Sequence, residues 1–370
     1  MDIHKIREDY FPITKKVKFF DTANHSPPST PVQDAIRSYL LDWNNLDRRG
    51  DQRVLEACES WSKLVGCLPE ETCSQPNTST GLAMIAETLK LKKGDNVIIN
   101  TLENPANQIP WLAQRAKGVE VRIVNGRDGK VYLEDVETAI DDSTKVVAIS
   151  HVEWMTGARH NLKQFSDVAH EHGAVLVVDG IQAAGALKVD VKRDHVDFYA
   201  NGAYKWLLGC SGAGFLYVAR EHVNNLNPPL WGYRGVEKHS LDAPDFRIDA
   251  KKWELGEPSY LSTVGTKAAI DLLLRLGSSA IETHILKLSN KMQDGLTHIG
   301  AKVVSPHEKE NISGITTFTT KDIRETTKAL NESGFYLSVR QAGIRVSSNF
   351  FNTNEEVNHF LETVARSIVS

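Results

Sequence analysis

One aspartate and one lysine follow neighbouring runs of apolar residues, in positions where such side chains can do chemistry. Residues 174–178 form a valine-rich run that ends on Asp179, and residues 196–199 form a second run that is followed by Lys205. The first run is too short for a helix and is typical of a buried strand in a parallel sheet. Ligands bind beyond the carboxyl ends of such strands, so we expect the carboxylate and the amine to face one site.

A carboxylate paired with a lysine suits the chemistry of pyridoxal phosphate. A lysine amine can bind the aldehyde of that cofactor as a Schiff base, and a carboxylate can keep its pyridine nitrogen protonated so that the ring accepts electrons. The pair alone does not establish this chemistry, because strand-end aspartates and isolated lysines occur in many α/β proteins. A helix cap at Asp179 and a solvated Lys205 explain the two residues equally well.

A second polar group lies where a helix is predicted to begin. Residues 75–81 have the sequence QPNTSTG, and residues 82–89 then place apolar side chains on one helical face. Backbone N–H groups and small hydroxyl side chains at a helix N-terminus favour a phosphate group. One such side chain is enough for an ordinary N-cap, whereas three occur in succession here. The pattern therefore favours phosphate binding over capping alone.

The segments between these motifs alternate between predicted strands and helices. Strands are expected at residues 96–100, 119–124 and 146–150, and helices at 110–117 and 162–169. Right-handed crossovers make such a chain an α/β protein with a mostly parallel sheet flanked by helices.

The pattern changes in the last third of the chain. A helix is expected from about residue 263, followed by strands at 313–319, 336–340 and 344–347. The last helix is predicted to begin with a capping box formed by Thr353 and Glu356. We therefore predict three parts, which are an N-terminal segment (1–30) packing on the small domain, a large domain (31–250) and a smaller α+β domain (251–370).

A loop near the amino terminus contains a further candidate. Residues 21–28 have the sequence DTANHSPP, which the prolines keep from being helical. The imidazole of His25 titrates near neutrality and is therefore a candidate site group. The simpler interpretation is that His25 is an ordinary loop residue whose ring nitrogens form hydrogen bonds with neighbouring groups.

Composition excludes several classes of function. The chain has 370 residues and a formal net charge of −4, which gives no basic surface for nucleic acid or an anionic membrane. It has no apolar run of membrane-spanning length and no signal peptide, so a cytoplasmic protein is expected. The four cysteines form no CxxC pair and no metal-ligand spacing, which predicts reduced thiols and no metal site. No GxGxxG follows a predicted strand, which argues against a dinucleotide-dependent oxidoreductase.

Taken together, these motifs give the chain a resemblance to the class V aminotransferase family of fold type I pyridoxal phosphate enzymes. That family includes cysteine desulfurases, kynureninases and isopenicillin N epimerase. No single matching segment is specific for the family. The order in which the segments occur along nearly the whole chain is specific. The segments are Asp-Thr-Ala at 21, Asn-Thr-Ser-Thr-Gly at 77, Glu-Asn-Pro-Ala at 103, Ser-His-Val at 150, Asp-Gly-Ile-Gln at 179, Ala-Tyr-Lys-Trp at 203 and Arg-Val-Ser at 345.

The resemblance implies roles for the matched residues toward the cofactor. Lys205 would bind pyridoxal phosphate covalently, Asp179 would pair with its pyridine nitrogen and Gln182 would contact its ring hydroxyl. The phosphate would be held by hydroxyl groups, namely those of Thr78, Ser79 and Tyr204.

The resemblance also implies a substrate site and a partner. Arg345 would bind the carboxylate of an amino acid, which a planar guanidinium fits bidentately. Asn24 and His25 are further substrate-binding candidates. The family is normally a homodimer with active sites at the interface, so loops around Trp231 and Ser259 are expected to serve the neighbouring subunit.

The substrate side departs from the desulfurase pattern. Asn104 stands where desulfurases carry a ring-stacking histidine, and Trp154 stands where they place an asparagine against the ring hydroxyl, so both are cofactor-binding candidates here. Residues 340–345 lack the nucleophilic cysteine that desulfurases carry between the small-domain strands.

We therefore predict a pyridoxal-phosphate-dependent enzyme that acts on a small-molecule amino acid. Lys205 would remove the α-proton of the substrate while Asp179 maintains the electron sink. A desulfurase-like C–S or β-lyase is favoured because most of the similar enzymes cleave side-chain bonds. A class V aminotransferase and an isopenicillin N epimerase-like epimerase are the alternatives, and a non-catalytic binding protein is a further one.

Overall fold

The computed structural model of the protein describes residues 2–46 and 49–369. The strands in the described part of the chain are β1 (Lys18–Phe19), β2 (Thr72–Gln75), β3 (Asn96–Asn100), β4 (Glu120–Val124), β5 (Thr144–Ser150), β6 (Val175–Asp179), β7 (Phe198–Gly202), β8 (Gly214–Val218), β9 (Val236–Lys238), β10 (Asp245–Phe246), β11 (Lys302–Val303), β12 (Ile315–Thr319), β13 (Phe335–Tyr336), β14 (Ser338–Arg340) and β15 (Gly343–Ser347).

Helices alternate with these strands through the first two thirds of the chain and then become longer. They are α1 (Ile3–Tyr10), α2 (Thr30–Asn44), α3 (Gly50–Val65), α4 (Thr78–Thr88), α5 (Ile109–Ala113), α6 (Leu133–Ala139), α7 (Leu162–Glu171), α8 (Arg220–Asn225), α9 (Tyr260–Leu276), α10 (Ser278–His298), α11 (Ile323–Glu332) and α12 (Asn354–Val369). Among the described residues, no helix combines the length and the apolar character needed to cross a membrane.

Seven strands form the central sheet, in the order β2-β8-β7-β6-β5-β3-β4. Only β8 runs antiparallel to its neighbours, which confirms the predicted α/β fold with a mostly parallel sheet. The strands β3, β7 and β8 are buried along their whole length, as expected for a sheet covered on both faces. The register of β5, β6 and β7 places Ser150, Asp179 and Ala200 side by side at one edge.

Several predicted elements differ from the structure in their bounds, and two of these differences have a local cause. The strand expected at 196–199 begins at Phe198 and continues to Gly202. It begins later because His195 adopts a positive φ of 53° and the side chain of Asp197 accepts the N–H of Leu176. The helix expected at 110–117 changes to a 3-10 turn over Gln114–Lys117, before Gly118 at a φ of 82°.

The second sheet is antiparallel and has the order β11-β12-β15-β14. The strand expected at 336–340 divides between two sheets, because β13 pairs with β1 whereas β14 pairs with β15. Helices α10 and α12 cover the four-stranded sheet and bury Phe318, Val346 and Phe360 in a core of their own. Within this sheet Arg345 lies between Thr317 and Ser338 on the neighbouring strands.

The N-terminal segment is bonded to the C-terminal part of the chain. Arg7 forms an ion pair with Glu356 at 2.7 Å, and its Nη1 donates to the carbonyl of Phe351 at 2.6 Å. Asp21 forms a parallel bridge with Ser347. Helix α9, which the predicted division assigns to the small domain, packs against α2 and α3. The division at residue 250 stays a prediction.

The loop after β5, residues 154–157, is bound by side chains from the C-terminal part of the chain. Each of its four successive carbonyl groups accepts one hydrogen bond from a different side chain. These bonds join Arg345 Nη1 to Trp154 O (2.7 Å), Thr317 Oγ1 to Met155 O (2.5 Å), Ser305 Oγ to Thr156 O (2.5 Å) and Ser313 Oγ to Gly157 O (2.7 Å). The position of this loop therefore depends on the second sheet.

The capping box predicted for the last helix is present, and it gives a test of local stability. The N–H of Thr353 donates to Glu356 Oε2 at 3.1 Å, and the N–H of Glu356 donates to Thr353 Oγ1 at 3.3 Å. We expect Thr353→Ala to lower the free energy of unfolding by roughly 1 kcal/mol, because one helix N–H loses its acceptor. Urea unfolding followed by circular dichroism measures this. Thr353→Ser is the matched control, because it keeps the hydroxyl and should stay near the wild type. An equal loss in both variants would contradict the capping role.

Candidate active site

A cavity of about 470 Å³ lies at the carboxyl edge of the central sheet. The strands β5, β6 and β7 end beside it, and the N-terminus of α4 faces it. Its wall contains most of the residues that the sequence singled out. The lining residues are Asn77, Thr78, Ser79, Asn104, Ala106, Ser150, Trp154, Asp179, Ile181, Gln182, Tyr204 and Lys205. The structure thus brings eight of the eleven predicted site residues to one cavity, whereas Asn24, His25 and Arg345 are not on its wall.

Lys205 and Asp179 share this cavity, as the sequence predicted. Asp179 ends β6, is buried, and accepts the N–H of Ile181 at 2.9 Å. Burial raises the pKa of Asp179 to about 6, against the opposing effects of the Ile181 hydrogen bond and of Lys205. Burial lowers the pKa of Lys205 to about 8, and the charge of Asp179 opposes that shift. The amine can therefore lose its proton near neutral pH, as a nucleophile or base must.

The polar residues at the start of α4 have different roles, in capping the helix and in lining the cavity. Asn77 caps the helix, because its Oδ1 accepts the N–H of Thr80 at 2.9 Å. Thr78 Oγ1 accepts the N–H of Gly202 at 2.8 Å. Thr78 and Ser79 lie in the first helical turn and face the cavity, where the backbone dipoles favour an anion. Since Asn77 serves as the cap, these hydroxyl groups are not needed for capping.

Three side chains on the wall differ in how many of their polar atoms form hydrogen bonds within the protein. The amide of Gln182 is held on both atoms, because Nε2 donates to Ala23 O at 3.0 Å and Oε1 accepts from Trp206 Nε1 at 2.8 Å. Asn104 Oδ1 accepts the N–H of Ala106 at 3.0 Å and caps a short turn. Trp154 Nε1 is buried and has no acceptor among the described residues. Trp154 therefore offers a buried free donor on this wall.

Arg345 is buried beside the cavity with most of its donors unused. It is 2% exposed, and its Nη1 donates to Trp154 O at 2.7 Å. Its Nε and Nη2 have no acceptor within the described part of the chain, and Asp21 is 3.9 Å from Nη2. Burial, together with the charge of Arg340, lowers the pKa of Arg345 to about 10. A buried guanidinium without full pairing is costly, so its surroundings suit an anionic ligand.

Asn24 and His25 lie on the N-terminal loop outside the cavity wall. Asn24 Nδ2 donates to Asp21 Oδ2 at 3.1 Å, and its Oδ1 accepts from Arg340 Nη2 at 3.1 Å. His25 is exposed, and its ring centre lies 5.3 Å from that of Tyr204. Both residues are thus neighbours of groups at the site, through Asp21 and Tyr204 respectively.

Sequence reasoning did not assign three polar residues that the structure places at or below the cavity. Ser150 lines the wall at the end of β5. Glu103 and Glu153 are buried in the segments after β3 and β5. Burial raises the pKa of Glu103 to about 7, against the hydrogen bonds from Ser150. The signal that identified Asp179, a polar residue at the end of a buried strand, applies to Ser150, whereas Glu103 and Glu153 lie three residues beyond the ends of β3 and β5.

One group of possible metal ligands occurs in the described part of the chain. Asp197, Glu221 and His222 bring their ligand atoms within 4.8 Å of one another. His222 Nε2 and Asp197 Oδ1 are 2.6 Å apart, which is a hydrogen-bonding distance. Asp197 directly precedes β7, whereas the cavity lies beyond the other end of that strand.

Comparison with known proteins shows a family resemblance over almost the whole chain. The model of the family described as aminotransferase class-V matches residues 19–360. A probable cysteine desulfurase of Methanothermobacter thermautotrophicus is 28% identical over 392 residues, covering 98% of this chain and 98% of that protein. The uncharacterized aminotransferase YcbU of Bacillus subtilis is 26% identical, covering 97% of this chain and 96% of that protein.

Solved structures show the same fold. The apo structure of a cysteine desulfurase from Thermococcus onnurineus NA1 matches with a TM-score of 0.90 and 26% identity, covering 99% of this chain and 98% of that one. The complex of the cystine C–S lyase C-DES with its product cysteine persulfide matches with a TM-score of 0.88 and 22% identity, covering 96% of this chain and 99% of that one. The second likeness concerns the fold alone.

The cavity fits the cofactor that the fold implies. Its wall presents an enclosed amine for an aldehyde, a strand-end carboxylate for a pyridine nitrogen and hydroxyl groups at a helix N-terminus for a phosphate. Fold and site together define a pyridoxal-phosphate-dependent enzyme of fold type I. More specifically, the chain belongs to the class V aminotransferase family.

The lowered pKa of Lys205 predicts how cofactor attachment depends on pH. Only the neutral amine attacks an aldehyde, so the rate at which the apoprotein acquires the absorbance of bound cofactor should rise with pH, with a midpoint at about 8. Asp179→Asn should move this midpoint to lower pH, because it removes the negative charge that favours the protonated amine. Asp249→Asn, outside the cavity wall, is the control. A midpoint in Asp179→Asn that equals or exceeds the wild-type value would contradict the pairing.

Proposed function

We propose that this protein is a lyase that removes the β-substituent of a cysteine-like amino acid. The observation that carries the proposal is the joint enclosure of the Lys205 amine and Asp179 in one cavity, with unused donors of Arg345 beside it. The relatives named probable cysteine desulfurases support a substrate of this class. When bound, pyridoxal phosphate supplies the electron sink that makes the α-proton of an amino acid acidic.

The residues of the wall divide the work of holding and using this cofactor. Thr78, Ser79 and the half-buried phenol of Tyr204 would hold the phosphate, and Asp179 would keep the pyridine nitrogen protonated. Lys205 would bind the aldehyde of the cofactor, and its Nζ is the group placed to take the α-proton of the substrate.

The ring hydroxyl has three candidate partners in this structure. Gln182 is engaged with Ala23 and Trp206 but keeps one N–H, since an amide nitrogen carries two. Asn104 keeps its amide N–H groups, because only its oxygen is used for capping. Trp154 offers its unpartnered indole N–H from the same wall.

The substrate carboxylate is bound by Arg345. The Nε and Nη2 groups can donate one hydrogen bond each to the two oxygens of a carboxylate, while Nη1 keeps its hydrogen bond to Trp154 O. Asn24 and His25 act at the rim of this site. Asn24 joins Asp21 to Arg340, and His25 packs beside Tyr204, so both shape the approach to the cavity.

The lyase proposed here works without a protein thiol. The turn between β14 and β15 contains only Gln341 and Ala342, so the hairpin has no room for a mobile nucleophile. All four cysteines are free thiols that lie elsewhere: Cys58, Cys67, Cys73 and Cys210. Burial raises the pKa of each of these thiols, that of Cys67 to about 12, so all of them stay protonated at neutral pH. The β-substituent therefore leaves into the cavity rather than onto a cysteine.

A homodimer with shared active sites is part of the proposal. Large apolar side chains are exposed together in one segment after β8, which is unusual for a free surface. They are Leu230, Trp231, Tyr233, Leu241, Phe246 and Ile248. The adjoining loop around Ser259 lines a separate cavity of about 760 Å³ that also contains Thr80 of helix α4. A second copy seated on this segment would lie next to the phosphate-binding turn.

We place the enzyme in the cytoplasm and expect no nucleic-acid partner, in keeping with its net charge of −4.

The reaction is tested by incubating the holoenzyme with cysteine, alanine and kynurenine in D2O. A β-lyase should release sulfide, pyruvate and ammonia from cysteine in equal amounts, because elimination followed by hydrolysis yields all three. Deuterium incorporation at Cα without these products would indicate epimerisation, and a 2-oxo acid formed only with an acceptor present would indicate transamination. Lys205→Ala is the control and should give no product of any kind.

The role of Arg345 predicts a separate kinetic effect. Arg345→Ala should raise KM by about tenfold to a hundredfold with a smaller change in kcat, because a charge-assisted carboxylate contact contributes about 1.5–3 kcal/mol. Arg345→Lys should recover only part of this affinity, since an ammonium cannot bind a carboxylate with a planar fork. Steady-state kinetics with the substrate identified above measure both. An unchanged KM in Arg345→Ala would assign the carboxylate to another group.

A further inference from the structure

Asp21 lies beside the guanidinium of Arg345 but does not form a hydrogen bond with it. Both side chains are buried, and Asp21 Oδ1 is 3.9 Å from Arg345 Nη2, which is an ion-pair distance beyond hydrogen-bonding range. The Nε and Nη2 groups of Arg345 have no acceptor among the described residues. The carboxylate of Asp21 therefore supplies a counter-charge to the guanidinium without occupying these two N–H groups.

Two side chains hold the carboxylate of Asp21 in this position. Ser338 Oγ donates to Asp21 Oδ1 at 2.5 Å, and Asn24 Nδ2 donates to Asp21 Oδ2 at 3.1 Å. Ser338 stands directly opposite Arg345 in the register of β14 and β15. The backbone of Asp21 is fixed as well, because it forms a parallel bridge with Ser347. Each oxygen of Asp21 thus has a donor other than Arg345, and these donors keep the gap to the guanidinium open.

The charge of Asp21 has two opposite effects on this part of the molecule. Burial, followed by the charge of Arg340, lowers the pKa of Arg345, and the charge of Asp21 opposes that shift. Asp21 thus stabilises the charged form of a guanidinium that is buried and largely unpaired. A ligand carboxylate on the Nε and Nη2 groups would lie close to Asp21, however, and two like charges at such a separation repel each other.

We propose that Asp21 is a positioning residue that keeps Arg345 charged with its Nε and Nη2 groups open, and that its charge weakens the binding of free anions there. This inference rests on the proposed carboxylate role of Arg345 and is independent of what becomes of the β-substituent. An amino acid that is also held through its amino group presents its carboxylate at a high effective concentration, which offsets the repulsion. A free carboxylate or an inorganic anion has no such second attachment. Asp21 thus makes the Arg345 site selective for the substrate.

The effect of the charge is tested by calorimetric titration of propionate, which has a carboxylate but no amino group, into the holoenzyme. Asp21→Asn should lower the dissociation constant of propionate about threefold to tenfold, because the like charge is removed. Ser338→Ala should raise it by at least about threefold, because Asp21 Oδ1 loses its donor and can accept from the guanidinium in place of the ligand. Glu71→Gln is the control and should have no effect, because Glu71 is a buried acid paired with Lys192 away from the cavity wall.

The opposite signs of the two effects separate this role from a merely structural one. A disturbed fold would weaken propionate binding in Asp21→Asn and in Ser338→Ala alike, and that result would overturn the proposal. An unchanged dissociation constant in Asp21→Asn would overturn it as well.

A double-mutant cycle tests whether Asp21 acts through Arg345. In an Arg345→Ala background, Asp21→Asn should no longer change the dissociation constant of propionate, because the guanidinium on which Asp21 acts is absent. The same gain in both backgrounds would overturn the proposal. Propionate binding that does not depend on Arg345 at all would refute the carboxylate role of Arg345 and this inference with it. A wild type that shows the expected propionate pattern but releases no sulfide from cysteine would refute only the lyase function.

Discussion

The parallel pairing of β5, β6 and β7 determines where the candidate active site lies. Their register sets Ser150, Asp179 and Ala200 side by side, and the chain reaches Lys205 only five residues beyond that row. Because these three strands end side by side, the loops that follow them surround a cavity at the carboxyl edge of the sheet. The buried carboxylate and the enclosed amine then adjust each other's proton affinity, which neither residue would do alone. The N-terminus of helix α4 brings the hydroxyl groups of Thr78 and Ser79 to the same edge.

The site also concentrates polar groups that the protein itself leaves unsatisfied. Trp154 Nε1, two nitrogen groups of Arg345 and both oxygens of Glu153 are buried without partners in the described part of the chain. Each such group lowers the stability of the folded protein. Elsewhere buried acids are satisfied, as Glu71 is by Lys192 and Glu254 by Arg234. Other buried groups without partners lie elsewhere, as both side-chain atoms of Gln293 do. Those of Trp154 and Arg345 are at or beside the candidate site, where a bound ligand would complete them.

The sequence predicted the central sheet well, because short apolar runs that end on polar residues are a local signal. Asp179 was singled out in this way, Lys205 as an isolated lysine beyond the next run, and the hydroxyl residues of α4 as a predicted helix start; the structure places all of them on one cavity wall. The final capping box was equally local. The bounds of β7 depended on the side chain of Asp197, which bonds across to Leu176. The engagement of Gln182 by Ala23 and Trp206 depends on contacts across the fold, and no spacing indicates it. The isolation of Glu153 has the same origin: it is a property of what surrounds the residue.

The 154–157 loop has a consequence for the order in which the protein can mature. A ribosome releases Trp154 long before it has made Ser305, Ser313, Thr317 and Arg345, the residues whose side chains bind this loop. The nascent sheet can form its parallel pairs and expose Lys205 while this wall of the cavity is still unfixed. Domains generally fold as units during synthesis, yet here the wall is completed only by residues near the end of the chain. A chain terminated early would thus carry Lys205 beside a wall loop that no later side chain holds in place.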